Sequence, residues 1–316
     1  MLAVLGLGLS ACSGDAASGA TSPAVPSSQV VTTSVSTSTT SSTSTTTSTT
    51  TTTSTTTSTT APTTTIPEVS MLASPLVAVG LADGIETARI QERLLELGFW
   101  LMGADGQYGH STKQAVMAFQ KISGLNATGK VDQDTAVALT NITARPKGQS
   151  TDPGIQVEVD KDRQVLYIMN EGYAIWILNV STGSGQYFLE QNKKDPTKWE
   201  SGRSVTPSGH YKIDREKTEG WWDGDLGEIY RPKYFRGGIA IHGSRSIPNY
   251  PASHGCVRVS TAAMDMIWAS GLLPKGTPVW VYGNDVEPTG PPLTLPPTTT
   301  IAPTTTAIPG ATTVVP

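Results

Sequence analysis

The sequence predicts two folded parts in a row: a small helical domain, then a mainly antiparallel β-domain with one helix. Thr/Ser/Pro-rich tails flank them. Three observations support this. Apolar residues recur at helical spacing within residues 81–143, and they alternate with a period of two within 154–283. Outside these limits, at 13–80 and 284–316, the chain is dominated by Ser, Thr, Ala, Val and Pro, with a near-pure Thr/Ser tract from Thr32 to Thr65. Such composition offers too little large apolar surface to offset chain entropy, so these segments are expected to be disordered. The 316-residue chain therefore contains about 200 foldable residues, enough for one or two domains. Its formal net charge is −4 with no long basic run, which argues against nucleic acid as a partner.

Taken in order, residues 1–12 form an apolar run ending Leu9-Ser10-Ala11-Cys12, too short to span a bilayer. It reads as the end of a signal segment with a lipoprotein cleavage box, Cys12 being the residue that takes lipid. That makes the protein extracytoplasmic, either lipid-anchored at the outer face of the membrane or secreted into the envelope. The Thr/Ser tract behind it reads as a spacer, a candidate for O-linked sugar.

Order is expected from Leu81. Ile90, Leu94 and Leu97 share a helix face over 86–97, stopped by Gly98. Asp105-Gly106 marks a turn, and Ser111 or Thr112 is placed to cap a second helix whose apolar face is Ala115, Val116, Phe119 and Ile122. A weak internal repeat follows: Asp105-Gly106, Gly109, Thr112 and Ala115 recur in spacing as Thr128-Gly129, Asp132, Thr135 and Ala138. It predicts a third short helix over 134–139.

Arg145 to Asp152 reads as a linker. Strands then follow at 155–159, 165–168, 173–180, 210–213, 238–242, 257–259 and 279–282, with a turn at Asn170-Glu171-Gly172. One helix, 260–270, is capped by Ser260 and stopped by Gly271. Residues 185–235 read as a loop-rich insertion carrying Trp199, Trp221, Trp222, Tyr230 and Tyr234, either a groove lining or packing for the loop. Its acidic group, Asp223, Asp225 and Glu228, has no calcium-loop spacing and reads as solvated.

Chemistry concentrates in Ile239-Ala240-Ile241-His242-Gly243 and Pro251-Ala252-Ser253-His254-Gly255-Cys256-Val257-Arg258-Val259. Cys256 is one of two cysteines, the other being Cys12, so the folded part holds a single thiol. His242 lies fourteen residues upstream and His254 two, and an imidazole is what turns a thiol into a nucleophile near neutral pH. A buried structural cysteine and a zinc site from His242, His254 and Cys256 are the competing readings. The polar, glycine-rich setting argues against the first, and the lack of a second cysteine or carboxylate ligand against the second.

His242 followed by Ser253-His254-Gly255-Cys256 and Val257-Arg258 resembles the signature of the L,D-transpeptidase (YkuD-like) catalytic domain, as do Val180-Ser181-Thr182-Gly183 and Thr206-Pro207-Ser208-Gly209 upstream. The resemblance covers 154–283 and implies a β-sandwich. It also implies acyl transfer through a thioester on Cys256 with His242 as base, needing no cofactor and no metal. His254 is the alternative base. Backbone amides around His254, Gly255 and Cys256 are the expected oxyanion hole, and the Gly243 carbonyl the expected orienter of His242. The implied substrates are peptidoglycan stem peptides, donor and acceptor, joined by a 3→3 cross-link with release of D-alanine. Arg258 fits a stem carboxylate bidentately, unless it serves a structural salt bridge. Ser253 and Tyr234 are further substrate candidates. Residues 81–143 resemble a three-helix peptidoglycan-binding module through Gln91, Leu94, Leu97-Gly98-Phe99, Asp105-Gly106, Gly109, Thr112, Phe119-Gln120 and Gly124-Leu125. Two other readings stay open: a thiol peptidase of the L,D-carboxypeptidase type with water as acceptor, and a non-catalytic peptidoglycan-binding lipoprotein.

Overall fold

The structure, a computed structural model, describes residues 68–295. Cys12 and the Thr/Ser tract lie outside the described residues. The chain opens with helices α1 (Ile85–Glu96), α2 (His110–Ile122) and α3 (Gln133–Asn141). Buried Ile90, Leu94, Val116, Phe119 and Leu139 form their common core. Helix α2 starts at His110 and is capped by Gly109, two residues before Ser111, with no side-chain cap; α3 is capped by Asp132, whose carboxylate accepts from Thr135 N at 2.9 Å.

The internal repeat has a physical basis. Gln91 on α1 is buried, and its amide accepts from Gly106 N (2.8 Å) and donates to Gln107 O (2.9 Å) and Thr112 Oγ1 (2.9 Å). Gln120 on α2 makes the same three bonds one step later, to Gly129 N (2.8 Å), Lys130 O (2.8 Å) and Thr135 Oγ1 (2.9 Å). In each unit a buried amide satisfies the tight turn that launches the next helix. Otherwise those backbone groups would be buried unpaired, at about 1–3 kcal/mol each.

The second part holds two sheets and a hairpin. The first sheet runs β3 (Tyr173–Asn179), β2 (Val165–Asn170), β1 (Gln156–Asp160), β12 (Pro278–Tyr282), β6 (Gly209–Lys212). The second runs β11 (Val257–Ser260), β10 (Ile239–Ser244), β9 (Gly227–Arg236), β7 (Arg215–Glu216), with β8 (Trp221–Gly224) also on β9. Strands β4 (Tyr187–Gln191) and β5 (Trp199–Arg203) pair only with each other. Among the strands of the described residues, β1–β12 and β10–β11 pair in parallel and the other ladders are antiparallel. Val157, Val159, Leu166, Ile168, Val180 and Val281 from one sheet meet Phe235, Ile241, Val257 and Val259 from the other. Helix α4 (Thr261–Ser270) joins that core through Ala263, Met264 and Ile267, with Ser260 Oγ accepting from Ala263 N at 3.1 Å and Gly271 closing it at φ +63°.

Strand β2 reads as an unbroken apolar run because both its faces are covered. Leu166 and Ile168 point into the sandwich core, while Val165, Tyr167 and Met169 belong to the core of the helical part. The helical part thus packs on the outer face of the first sheet. A short bridge between Phe99 and Ile177 extends the contact. Lys121 of α2 fixes it further, donating to Gln164 O (3.0 Å) and Asn179 Oδ1 (2.5 Å), and burial pushes its pKa down to about 7.

Three expectations about order need adjusting. Residues 185–235, read as loop, form β4 to β9; only the stretch at 210–213 was expected as a strand. Order also precedes Leu81: Leu76 is buried and Ser70 O accepts from Arg93. Beyond 283, Asp285 pairs with Lys161, Val286 O accepts from Arg203 (2.9 Å) and Thr289 N donates to Gln186 Oε1 (2.8 Å).

Candidate active site

Parallel pairing of β10 and β11 places His242 opposite Arg258 and Ile241 opposite Val257. Side chains alternate along a strand. Since Ile241, Val257 and Val259 face the sandwich core, His242 and Arg258 face the other way, and Cys256, two residues before Arg258, shares their side. One register step back brings Ala240 beside Cys256, and the Ala240 N–H points at the sulfur. Strand spacing and rise put the Cα atoms of His242 and Cys256 about 8 Å apart on the diagonal, within side-chain reach. Tyr234 on β9 pairs with Ala240 from the opposite side, and burial raises its phenol pKa.

The His242 ring is buried, and its Nδ1 lies 2.8 Å from Gly243 O. Nδ1 therefore carries the proton, leaving Nε2 as the basic nitrogen. The Cys256 thiol is partly exposed, and its Sγ is 3.8 Å from Gly238 O. Among the described residues no hydrogen bond joins the sulfur to the imidazole.

Burial pushes the His242 imidazole down to about 4, with the Arg258 charge adding to that and the Gly243 carbonyl opposing it. Burial pushes the Cys256 thiol up, against the pull of the Ala240 N–H and Arg258. Burial thus works against the charged form of both groups. No carboxylate among the described residues pairs with Arg258, whose pKa burial lowers and Cys256 raises. The salt-bridge reading of Arg258 thus finds no partner.

Hydroxyls lock the turn before Cys256. Ser253 Oγ accepts from Gly255 N (3.0 Å) and donates to Cys256 O (2.6 Å). Thr206 Oγ1 donates to Gly255 O (2.7 Å) and accepts from Gly183 N (2.9 Å). Gly255 sits at φ +134°, and a Cβ there would lie 2.7 Å from Val205 O, so only glycine fits. Its N–H is taken by Ser253, which shapes the turn. His254 Nε2 lies 3.0 Å from Glu190 Oε1, and its ring meets Phe188 edge-on at 4.9 Å. The β4–β5 hairpin thus fixes the His254 ring through Nε2.

Thr206 and Glu190 were not singled out from the sequence. Thr206 stood in the Thr-Pro-Ser-Gly stretch that carried the resemblance, but Glu190 carried no signal. Of the acidic group, Asp225 pairs with Lys194 and Glu228 with Arg245. Among the described residues no cluster of His, Cys, Asp and Glu could hold a metal, and no helix is long and apolar enough to cross a membrane.

Residues 154–281 match the family of L,D-transpeptidase catalytic domains, and residues 83–139 match a peptidoglycan binding domain. The crystal structure of an L,D-transpeptidase from Xylanimonas cellulosilytica is 42% identical, with a TM-score of 0.59 over 66% of this chain and 98% of that one. The N-acetylmuramoyl-L-alanine amidase CwlL of Bacillus licheniformis is 40% identical over 72 residues, 22% of this chain. The chain spans about a fifth of the length of that curated relative, 20%. Shared residues, fold and the paired His242 and Cys256 strands lead to one conclusion: this chain belongs to the L,D-transpeptidase family.

Proposed function

We propose that this protein is an L,D-transpeptidase that joins peptidoglycan stem peptides through a thioester on Cys256. The observation that carries the reading is the shared face of β10 and β11. There a buried imidazole with a free Nε2, a single thiol and an unpaired guanidinium stand together.

Rotation of Cys256 about χ1 would move its sulfur from Gly238 O toward His242 Nε2. Because burial works against both charged forms, the proton passes to Nε2 as the sulfur attacks the donor carbonyl. The S–C bond forms, and the oxyanion is held by the amides of His254 and Cys256. The C–N bond to the terminal D-alanine then breaks, and its amine takes the proton from Nε2. A side-chain amine of the acceptor stem attacks the thioester, its proton returns through His242 to the sulfur, and a 3→3 cross-link results. Arg258 would hold a stem carboxylate. A reaction on peptidoglycan fits a place outside the cytoplasmic membrane, with the protein either anchored by lipid on Cys12 or secreted into the wall.

Purified protein incubated with a carbapenem is expected to gain one adduct on Cys256, absent in Cys256→Ala and at least about a hundredfold slower to form in His242→Ala. Incubation with disaccharide-tetrapeptides is expected to yield dimers lacking one D-alanine. Shortened monomers alone would mean hydrolysis, and an unmodified Cys256 would remove the enzymatic reading.

A further inference from the structure

A cleft of about 360 Å³ lies between the helical part and the loop that joins β10 to β11. On one wall stand His110, Lys113 and Gln114 of α2; on the other, Arg245 and Asn249 of the loop. Met117, Ile247 and Pro248 supply apolar floor, and no acidic residue lines it. The walls are tied together: Asn249 Nδ2 donates to Ala127 O at 2.8 Å, and Gln114 Nε2 to Ile247 O at 3.4 Å. The stem of Lys113 lies against Gly129, where a Cβ would meet the Lys113 Cγ at 2.7 Å. Arg245 is paired with Glu228 at 2.6 Å and stacks on Trp221 at 3.7 Å, yet its side chain stays 65% exposed.

Cations on facing walls, amide donors between them and an apolar floor suit a short peptide bearing carboxylates. The cleft is shared by both matched regions: α2 belongs to the peptidoglycan-binding match, and the loop to the transpeptidase match. The same loop runs on to Cys256. From Asn249 that is seven residues, at most about 25 Å even when fully extended. We propose that this cleft is a second stem-peptide site, gripping carboxylates of one stem between Lys113 and Arg245 while Cys256 works on a neighbouring stem. The choice of a stem peptide as occupant rests on the function proposed above.

The test uses the full chain carrying Cys256→Ala, so that ligand is not consumed, and a soluble disaccharide-tetrapeptide as probe, followed by calorimetry. Two binding events are expected. The double reversal Lys113→Glu with Arg245→Glu should remove one of them or weaken it at least about tenfold. The milder Lys113→Gln should weaken the same event by a smaller factor, with an unchanged melting temperature showing that the fold survives. A probe whose stem carboxylates are amidated should bind that site at least about tenfold more weakly. Unaltered stoichiometry and affinity in both variants would overturn the proposal. Carbapenem labelling of wild type in parallel separates the two readings. A labelled Cys256 with a silent cleft sinks the cleft alone, whereas an unlabelled Cys256 sinks the acyl-transfer reading and leaves the calorimetry to decide the cleft.

Discussion

Thr206→Val isolates what holds the nucleophile's turn in place. The substitution keeps side-chain volume and removes one hydroxyl, which is 1% exposed and stands between Gly183 N–H (2.9 Å) and Gly255 C=O (2.7 Å). Both backbone groups lose their side-chain partner. Orphaning a buried polar group costs about 1–3 kcal/mol, so the pair costs roughly 2–5 kcal/mol. For a folded unit of about 200 residues that lowers the melting temperature by roughly 5–15 °C. Gly255 takes a backbone conformation open to glycine and is held from both sides, by Ser253 and Thr206. Loss of one holder should let the His254 and Cys256 amides drift, slowing carbapenem acylation by about ten- to a hundredfold. Thr206→Ser retains the hydroxyl and should recover most of the acylation rate while losing only a methyl's packing. Calorimetric melting and mass-resolved acylation kinetics measure both effects. Wild-type melting and acylation in Thr206→Val, or a Ser variant as slow as Val, would refute the reasoning.

Three further outcomes follow from the same site. Gly255→Ala should fail to acylate and lose stability, since its Cβ would lie 2.7 Å from Val205 O at a backbone angle costing a side chain about 1–3 kcal/mol; crystallography or acylation kinetics would show an accommodated Ala if this is wrong. The His242 imidazole is lowered to about 4, so acylation should stay level between about pH 5 and 7 and fall only as pH drops toward 4. A half-maximal loss near 6.5 would mean an unshifted base. The same depression adds stability that is complete above the unfolded value near 6.5 and is lost as pH falls through the folded value, about 3 kcal/mol in all; pH-dependent melts of wild type against His242→Gln read it. Arg258→Gln breaks no ion pair, so melting should shift by less than about 1 kcal/mol, whereas KM for a carboxylate-bearing stem peptide should rise at least tenfold; an unmoved KM removes the carboxylate role.

Much of the site was legible along the chain because its signals are local. Ser260 and Gly271 bracket α4 through bonds that span a few residues, and the alternation of Ile239, Ile241, Val257 and Val259 assigns His242, Cys256 and Arg258 to one side of their strands. The Gly243 carbonyl needed no distant element, being the next residue to His242. Glu190 is different: it reaches His254 across 64 residues, through a hairpin whose polar strands have no apolar alternation to announce them. Strands β7 to β9 were illegible for the same reason, since their Trp and Tyr residues take meaning only from the strand beside them.

By itself the sequence determined the helical and β parts, the repeat of turn glycines and threonines in the helical part, and the residue types that can perform acyl transfer. The tertiary structure alone decided that the helical part covers the second face of β2, that β4–β5 holds His254, and that burial works against the charged forms of both His242 and Cys256. The reason is physical. Local propensity and periodicity act over a few residues, whereas desolvation and cross-strand pairing depend on which distant surfaces exclude water from a side chain.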